Sequence, residues 1–322
     1  MFVTSSQPVP SAGSTGGGLR LVRAERQGFA GPAEFLHSPD DRAHLGNYLA
    51  DLTRPYGLTV PGELFDSPSD LGQSYGEMAE ALIRATVPVD EPVDLLVLAF
   101  AVHDMQPGRA TATYLSHVCP GTPLSFAICE QGSAAAFSGL RVARDYAASA
   151  GCRRTLLIVA EQASVPYPTH APVPARHRGV ALLFDAESPD GPSGPRLVGL
   201  RQQGGVPAGE VAARAAACLA ELTAGDGRSR LVVSEALAWA WPAAGARVAP
   251  AGQPSTGLWW QLIDELADGP DLVVAADYDP DLGYLCLAAL SRAGAATPGW
   301  PVRRRSRRRR HTADRSPRPS RR

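Results

Sequence analysis

The residues best suited to catalysis lie in the turn Cys129-Glu130-Gln131-Gly132-Ser133, called the elbow below. An apolar run of strand length, 124–129, precedes the elbow, and the segment 133–148, small and apolar at first and amphipathic later, follows it. This pattern predicts a strand, a sharp glycine-containing turn and a helix whose N-terminal end is buried. At such a helix start the dipole lowers the pKa of a thiol, and backbone N–H groups can hold an oxyanion.

The order of elements around the elbow resembles the nucleophile half of the thiolase fold, and within it the ketoacyl-carrier-protein synthase III (KAS III) family. Val102-His103-Asp104, with Pro107 and Ala110, resembles the loop and short helix after the family's first central strand. Arg153-Arg154 and the strand that ends at Glu161 resemble the family's next strand. The resemblance covers residues 19–292 and implies a five-layer α-β-α-β-α sandwich of two pseudo-symmetric halves.

The resemblance also implies a nucleophilic cysteine in the elbow, and the expected position holds none. Counting backwards from the strand after the helix, with Leu140 as an anchor, places the nucleophile at Ser133. Counting forwards from Phe126 in the preceding strand places it at Gly132. Cys129 lies four positions before Ser133, at the end of the predicted strand.

Two elbow residues are therefore candidates for chemistry, each with a structural alternative. Ser133 could be acylated like the family's cysteine, as in serine-bearing relatives that prime aromatic polyketides. A serine hydroxyl would need a base for this reaction, because its pKa is far above what the helix dipole can lower to near neutral pH. Alternatively, Ser133 caps the helix. Glutamine at the cysteine position marks decarboxylating or chain-length-factor relatives, so Gln131 could hold a thioester carbonyl, or it could be an ordinary loop amide.

The second half lacks the histidine and asparagine that the resemblance implies for carbanion stabilisation. Where the family's histidine motif is expected, the chain offers Ser234 and Glu235, and Glu235 is a candidate base for Ser133. Where the asparagine is expected, it reads Gly252-Gln253-Pro254-Ser255-Thr256. The family's C-terminal glycine-rich segment is replaced by the acidic 276–283. These absences argue against decarboxylative condensation but leave acyl transfer open.

Around these residues the sequence predicts alternating strands and helices in two similar sets. After a first strand, LRLVRAER, a Pro-rich connection leads to the cluster 67–70, which is expected to cap a helix. The other predicted strands are 94–101, 124–129, 154–161, 179–185, 196–202, 230–234, 271–277 and 284–290. Predicted helices cover 111–117, 133–148, 208–224 and 255–266.

Composition narrows the class of protein. The chain has 322 residues, 44% of them hydrophobic and 20% charged, which is typical of a globular protein. It shows neither an apolar run long enough for a membrane helix nor a signal-peptide pattern, so a cytoplasmic location is expected. Its five cysteines have no disulfide or zinc spacing, so no metal is expected.

The charge is unevenly distributed along the chain. Eleven arginines and one aspartate lie in 301–322, which leaves an acidic body of 20 basic and 31 acidic residues. We expect 1–18 and the basic tail 301–322 to be disordered, with thiolase-like halves at 19–190 and 191–295. The tail lacks interleaved aromatic residues, so no nucleic-acid function is assigned to it.

The resemblance implies a KAS III-like acyltransferase or priming protein of polyketide or specialised-metabolite biosynthesis. Acyl carrier protein or coenzyme A would bring the acyl thioester as a substrate, with no permanently bound cofactor. The alternative is a catalytically silent ketosynthase homologue that serves as a partner or scaffold of a synthase. In either case the family pattern implies a homodimer or a heterodimer with a ketosynthase-like chain.

Overall fold

In the computed structural model of the protein, the described residues include ten strands that form one continuous sheet. The structure describes residues 18–68, 71–106, 108–169, 172–187, 193–224, 228–268 and 271–292. The predicted N-terminal disordered segment, apart from Gly18, and the basic tail lie outside these ranges. None of the described helices is long and apolar enough to cross a membrane.

The strands fall into two sets of five with the same order and direction. The first set is β1 (Leu19–Gly28), β2 (Leu95–Ala99), β3 (Leu124–Ile128), β4 (Arg154–Glu161) and β5 (Arg178–Ala186). The second set is β6 (Arg196–Gln203), β7 (Ser229–Val233), β8 (Arg247–Val248), β9 (Leu272–Asp279) and β10 (Tyr284–Ser291). The order in the sheet is β3-β2-β4-β5-β1-β6-β10-β9-β7-β8, so each set reads third, second, fourth, fifth, first from its outer edge.

Pairing directions repeat as well. In each set the third, second and fourth strands are parallel to one another. The fifth strand is antiparallel to both of its neighbours, the fourth and the first. The two sets meet where β1 pairs antiparallel with β6, through Leu19 opposite Leu197 and Arg20 opposite Arg196. A twofold pseudo-axis therefore passes between the first strands of the two halves.

Two helices lie between the halves and form the central layer. They are α4 (Ala135–Ser149) and α7 (Thr256–Asp268), and both belong to the largest core cluster together with residues of both strand sets. The rings of Phe137 and Trp259 meet there with centroids 5.0 Å apart. Both side chains are buried, so this contact fixes one central helix against the other.

Four further helices cover the outer faces of the two strand sets. On the first half these are α2 (Tyr75–Thr86) and α3 (Thr111–Val118), and on the second α5 (Val211–Leu222) and α6 (Glu235–Ala240). Each pair has its own apolar cluster with the strands beneath it. The layers are thus helix, sheet, helix, sheet, helix, and the predicted α-β-α-β-α sandwich with pseudo-symmetric halves is confirmed.

Three local predictions differ from the structure. The Pro-rich connection after β1 contains the helix α1 (Pro39–Thr53), which Ser38 caps through the N–H of Asp41. The helix expected after 67–70 starts later, as α2, with Ser74 as its N-cap. The strand predicted to end near Ser234 is followed at once by the six residues of α6, because the Ser234 hydroxyl accepts the N–H of Leu237 and starts a helix.

Candidate active site at the elbow

The elbow joins β3 to the central helix through strained backbone. Glu130 has a φ of 58°, in the left-handed region that side chains other than glycine rarely adopt, and Gly132 has a φ of 51°. A 3₁₀ turn, Gly132–Ala134, then leads directly into α4. The first turn of α4 is buried between the halves, as the sequence predicts, so residues of this turn lie where the two halves meet.

Ser133 is held by a carboxylate of the second half. Its backbone N–H donates to Oδ2 of Asp279 at 3.0 Å, and its hydroxyl lies 3.4 Å from the same oxygen. Only 9% of Ser133 is exposed. The carboxylate also fills the space beside Gly132, where an added Cβ would come within 1.8 Å of Oδ2. The N–H group that could stabilise an oxyanion at this serine is therefore already bound to a negative charge.

A second aspartate lies behind the first. Asp277 is 2% exposed, and the hydroxyls of Ser133 and Ser234 face its carboxyl group. Its Oδ2 has no hydrogen-bond partner among the described residues. Burial, reinforced by the charge of Asp279, raises the pKa of Asp277 to about 6, although the two hydroxyls oppose that shift. Ser133 therefore has a weak base beside it that is half-protonated slightly below neutral pH.

The other central helix has a matching arrangement. Glu161, at the end of β4, accepts the N–H of Ser255 at 2.5 Å and that of Thr256 at 2.9 Å, at the start of α7. β4 and β9 are the fourth strands of their sets, so Glu161 and Asp279 occupy related strand ends. Each half thus supplies a carboxylate that binds the helix start of the other half, an arrangement called the reciprocal caps below.

The two remaining predicted site residues lie near the elbow and in the second half. The amide oxygen of Gln131 accepts the Ser138 hydroxyl at 2.5 Å, which ties the elbow to the second turn of α4. Glu235 is half-buried at the start of α6, and its carboxylate accepts the N–H of Gly252 at 2.9 Å. The carboxylates next to the Ser133 hydroxyl are those of Asp277 and Asp279 rather than that of Glu235.

Gln253, in the segment where the resemblance implies an asparagine, is buried at the start of α7. Its amide nitrogen donates to Glu161 at 3.1 Å and to the carbonyl of Arg176 at 3.2 Å, while its amide oxygen has no partner among the described residues. Gln253 thus supports the cap on α7.

Cys129 faces a different space from Ser133. Its side chain is exposed, and burial followed by the charge of Glu130 raises its thiol pKa, so little thiolate forms at neutral pH. Together with Glu130, Cys129 lines a cavity of about 440 Å³ between the α1 segment and the loops after β2 and β4. Ser133, Asp277 and Asp279 are not part of that lining.

Comparisons with known proteins find solved structures of similar architecture. Neither a family model nor a curated protein matches the chain. Among solved structures, the tetronic acid condensing enzyme AbyA1 is 16% identical, with a TM-score of 0.55 over 85% of this chain and 99% of that one. 3-Oxoacyl-(acyl carrier protein) synthase III from Pseudomonas aeruginosa is 13% identical, with a TM-score of 0.55 over 87% and 100%. The acyltransferase ChlB3 is 18% identical, with a TM-score of 0.54 over 88% and 99%.

The chain has the thiolase-like fold. At these identities the similarity establishes the architecture, which the repeated strand order already shows, and it confirms the KAS III-like resemblance at that level. Within the thiolase-like fold the elbow has its expected place at the start of the buried helix. In this structure the elbow places Ser133 beside the carboxyl groups of Asp277 and Asp279.

Sequence reasoning did not assign a role to Asp277 or Asp279. The signal was present, because both lie at the end of a continuous apolar strand, and carboxylates at such a strand end lie near helix starts in a sandwich of this kind. The hydrogen bond from Ser133 to Asp279 joins residues 146 positions apart, which no local pattern reveals. Among the described residues, no three His, Cys, Asp or Glu side chains group in a way that could hold a metal ion.

Proposed function

We propose that this protein is a catalytically silent KAS III-like chain that acts as a partner of a ketosynthase-like protein in polyketide or specialised-metabolite biosynthesis. The observation that carries the proposal is the hydrogen bond from the Ser133 N–H to the Asp279 carboxylate at 3.0 Å. An oxyanion formed at Ser133 would have to take the position of that carboxylate. The proposal therefore assigns the elbow a structural role.

The electrostatics make this displacement costly. Two like charges about 3 Å apart repel by about 5 kcal/mol at an effective dielectric constant of 20. Loss of a single oxyanion donor already slows acyl-transfer enzymes by about 10² to 10³. Because Ser133 is also 9% exposed, acylation at this residue requires movement of the β9 end as well as displacement of charge.

The exposed edge of the sheet supports the partner role. β3 is the outermost strand of the first half, and Leu124 at its start is 51% exposed. An edge strand with free backbone groups and apolar side chains is a ready template for pairing with another chain. We propose that this edge forms the homodimer, or the heterodimer with a ketosynthase-like chain, and that the assembly meets acyl carrier protein or acyl-coenzyme A as substrate carriers.

Acyl transfer through Ser133 is the second candidate function, and one observation favours it. The Asp277 carboxyl group, whose burial raises its pKa to about 6, is contacted by the Ser133 hydroxyl and could take up its proton. In that reaction the proton of the Ser133 hydroxyl would pass to the Asp277 carboxylate as the Ser133 oxygen attacks the thioester carbonyl. The C–S bond would then break, and the leaving thiolate would take that proton back from Asp277 and depart as the thiol. This route forms no carbanion, so it needs neither of the missing second-half residues.

A covalent-adduct measurement separates these functions. The protein is incubated with acetyl-, malonyl- and longer acyl-coenzyme A and with the matching acyl carrier proteins, and its intact mass is followed. For a silent partner we expect no adduct at Ser133 with any donor. An adduct that disappears in Ser133→Ala and persists in Cys129→Ala would establish acyl transfer instead, whereas the reverse pattern would place the nucleophile at Cys129.

The partner role has its own test in sedimentation velocity. Leu124→Arg places a charge on the exposed β3 edge and is expected to reduce the oligomer to single chains. Val198→Arg is the matched control, because Val198 is 50% exposed on β6, away from that edge. A wild-type protein that stays monomeric at all concentrations, alone and with candidate ketosynthase chains, would contradict the partner role.

A further inference from the structure

The cavity beside Cys129 is a site separate from the Ser133 centre. Four stretches of chain enclose its volume of about 440 Å³, namely the α1 segment, the loop after β2, the elbow, and the loop after β4. A cavity of this size is within the range that small-molecule sites occupy. Its lining is mixed, since aliphatic side chains alternate with aromatic rings and a few polar groups.

Four Phe and Tyr rings are among the described residues that line the cavity. Tyr48 and Tyr56 come from the α1 segment, Phe100 from the end of β2, and Tyr167 from the loop after β4. Burial raises the pKa of Tyr167, and the charge of Tyr48 adds to this shift, so the two phenols lie within electrostatic reach of one another. The face of such a ring carries partial negative charge and attracts cations.

The charge of the lining has one sign. Glu130 contributes a carboxylate, and none of the described lining residues is an arginine. The chain contains no lysine at all. Glu130 has a left-handed backbone conformation, which glycine or asparagine would adopt at a lower cost in free energy. Because glutamate occupies this position, a carboxylate lies at the cavity wall. An anionic ligand, such as a free carboxylate, would find no positive side chain in this lining.

His103 adds a hydrogen-bond acceptor to the same wall. Its Nδ1 lies 3.1 Å from the carbonyl oxygen of Asp104, and since a carbonyl only accepts, Nδ1 carries the proton. Nε2 of the neutral ring is then an acceptor, and it is buried without a partner among the described residues. The ring stacks on Tyr167 with centroids 5.4 Å apart. Because His103 is part of the cavity lining, a bound ligand that donates a hydrogen bond could satisfy this nitrogen.

We propose that this cavity binds an organic ammonium ion, with a protonated arylalkyl or branched alkyl primary amine as the class of ligand. The rings would hold the apolar part and stabilise the charge, Glu130 would pair with the ammonium group, and His103 would accept one of its N–H bonds. The proposal goes beyond the function assigned to the elbow, because it stands whether or not Ser133 is ever acylated.

Calorimetric titration with three probes of one shape tests the proposal. These are phenethylamine, neutral 3-phenylpropionamide and anionic 3-phenylpropionate at pH 7.5. We expect the amine to bind about tenfold more tightly than either of the other two, as a cation held by rings and a carboxylate should. Saturation-transfer NMR on the wild-type protein provides a second readout that needs no variant.

Variants then locate the binding site. Glu130→Gln and Tyr167→Leu are each expected to weaken phenethylamine binding about threefold to tenfold. Glu210→Gln, at an exposed carboxylate in the turn before α5, and Tyr146→Leu, on α4 against Phe126, are the matched controls and should leave affinity unchanged. The proposal is overturned if the propionate binds as tightly as the amine, if the amine does not bind at millimolar concentration, or if both cavity variants bind like the wild type.

Discussion

Replacing Asp277 by asparagine is expected to change the pH dependence of stability in a defined direction. Burial raises the pKa of Asp277 from 3.8 to about 6, so the folded protein holds this proton more tightly than the unfolded chain. The contribution of Asp277 to the free energy of unfolding is fully present below pH 3.8 and is lost as the pH rises through about 6. Asparagine does not titrate, and the Asp277→Asn variant therefore avoids the loss.

The size of the effect follows from the same two pKa values. A difference of about 2 units corresponds to about 3 kcal/mol in total, of which about 2 kcal/mol develops between pH 4.5 and pH 7.5. The free energy of unfolding of wild type and variant is measured by urea denaturation at intervals of half a pH unit across this range. Relative to wild type, Asp277→Asn should gain about 2 kcal/mol from the acidic to the basic end.

The pH-dependent part of this difference is the informative quantity. An amide at position 277 has its own hydrogen-bonding demands, because Oδ2 of Asp277 has no partner among the described residues. These demands shift the free energy of unfolding of the variant by the same amount at every pH. Asp145→Asn, at a side chain 60% exposed on α4, is the control and should follow the wild-type curve. A variant-minus-wild-type difference that stays level within about 0.5 kcal/mol, well below the expected change, would refute a raised pKa for the buried Asp277.

Substitutions at three further positions test the caps, the elbow and the core, each by urea denaturation at pH 7.5. Glu161→Ala should cost about 2 to 4 kcal/mol, because the first N–H groups of α7 lose their acceptor, whereas Glu161→Gln should cost less; equal effects would contradict the cap. Gly132→Ala should cost at least about 2 kcal/mol, since its Cβ would collide with Asp279 on left-handed backbone, and a neutral result would argue against this packing. Phe137→Ala should cost about 3 to 5 kcal/mol by opening a cavity beside Trp259, and a loss below about 1 kcal/mol would mean that the central layer repacks.

Most strands could be predicted from the sequence because their physical signal is local. Residues 154–161 form a continuous apolar run, and the structure places β4 at the same bounds because both faces of this strand are covered. The helix α1 was missed, although Ser38 and Pro39 form a recognisable helix start. Only Leu45, Leu49 and Thr53 of this helix are buried, so its periodicity is weak beside the surrounding prolines and polar residues.

The candidate site was only partly predictable, for a different reason. The position of the elbow follows from the strand, turn and helix pattern around Gly132, which is local. The partners of Ser133 come from β9, and their approach depends on how the two halves pack. A sequence shows that Asp277 and Asp279 are acidic, but the three-dimensional arrangement decides that one binds a backbone N–H and the other is buried beside it.

The reciprocal caps have a consequence for how the protein melts. Loss of order in one half would remove the carboxylate that the opposite half needs at the beginning of its interior helix, whichever half opens first. Partial opening therefore leaves buried donors unsatisfied in the part that remains folded, which disfavours half-melted species. The duplicated architecture is in this way bound into a single cooperative unit, although the two strand sets join through only two paired positions of β1 and β6 among the described residues.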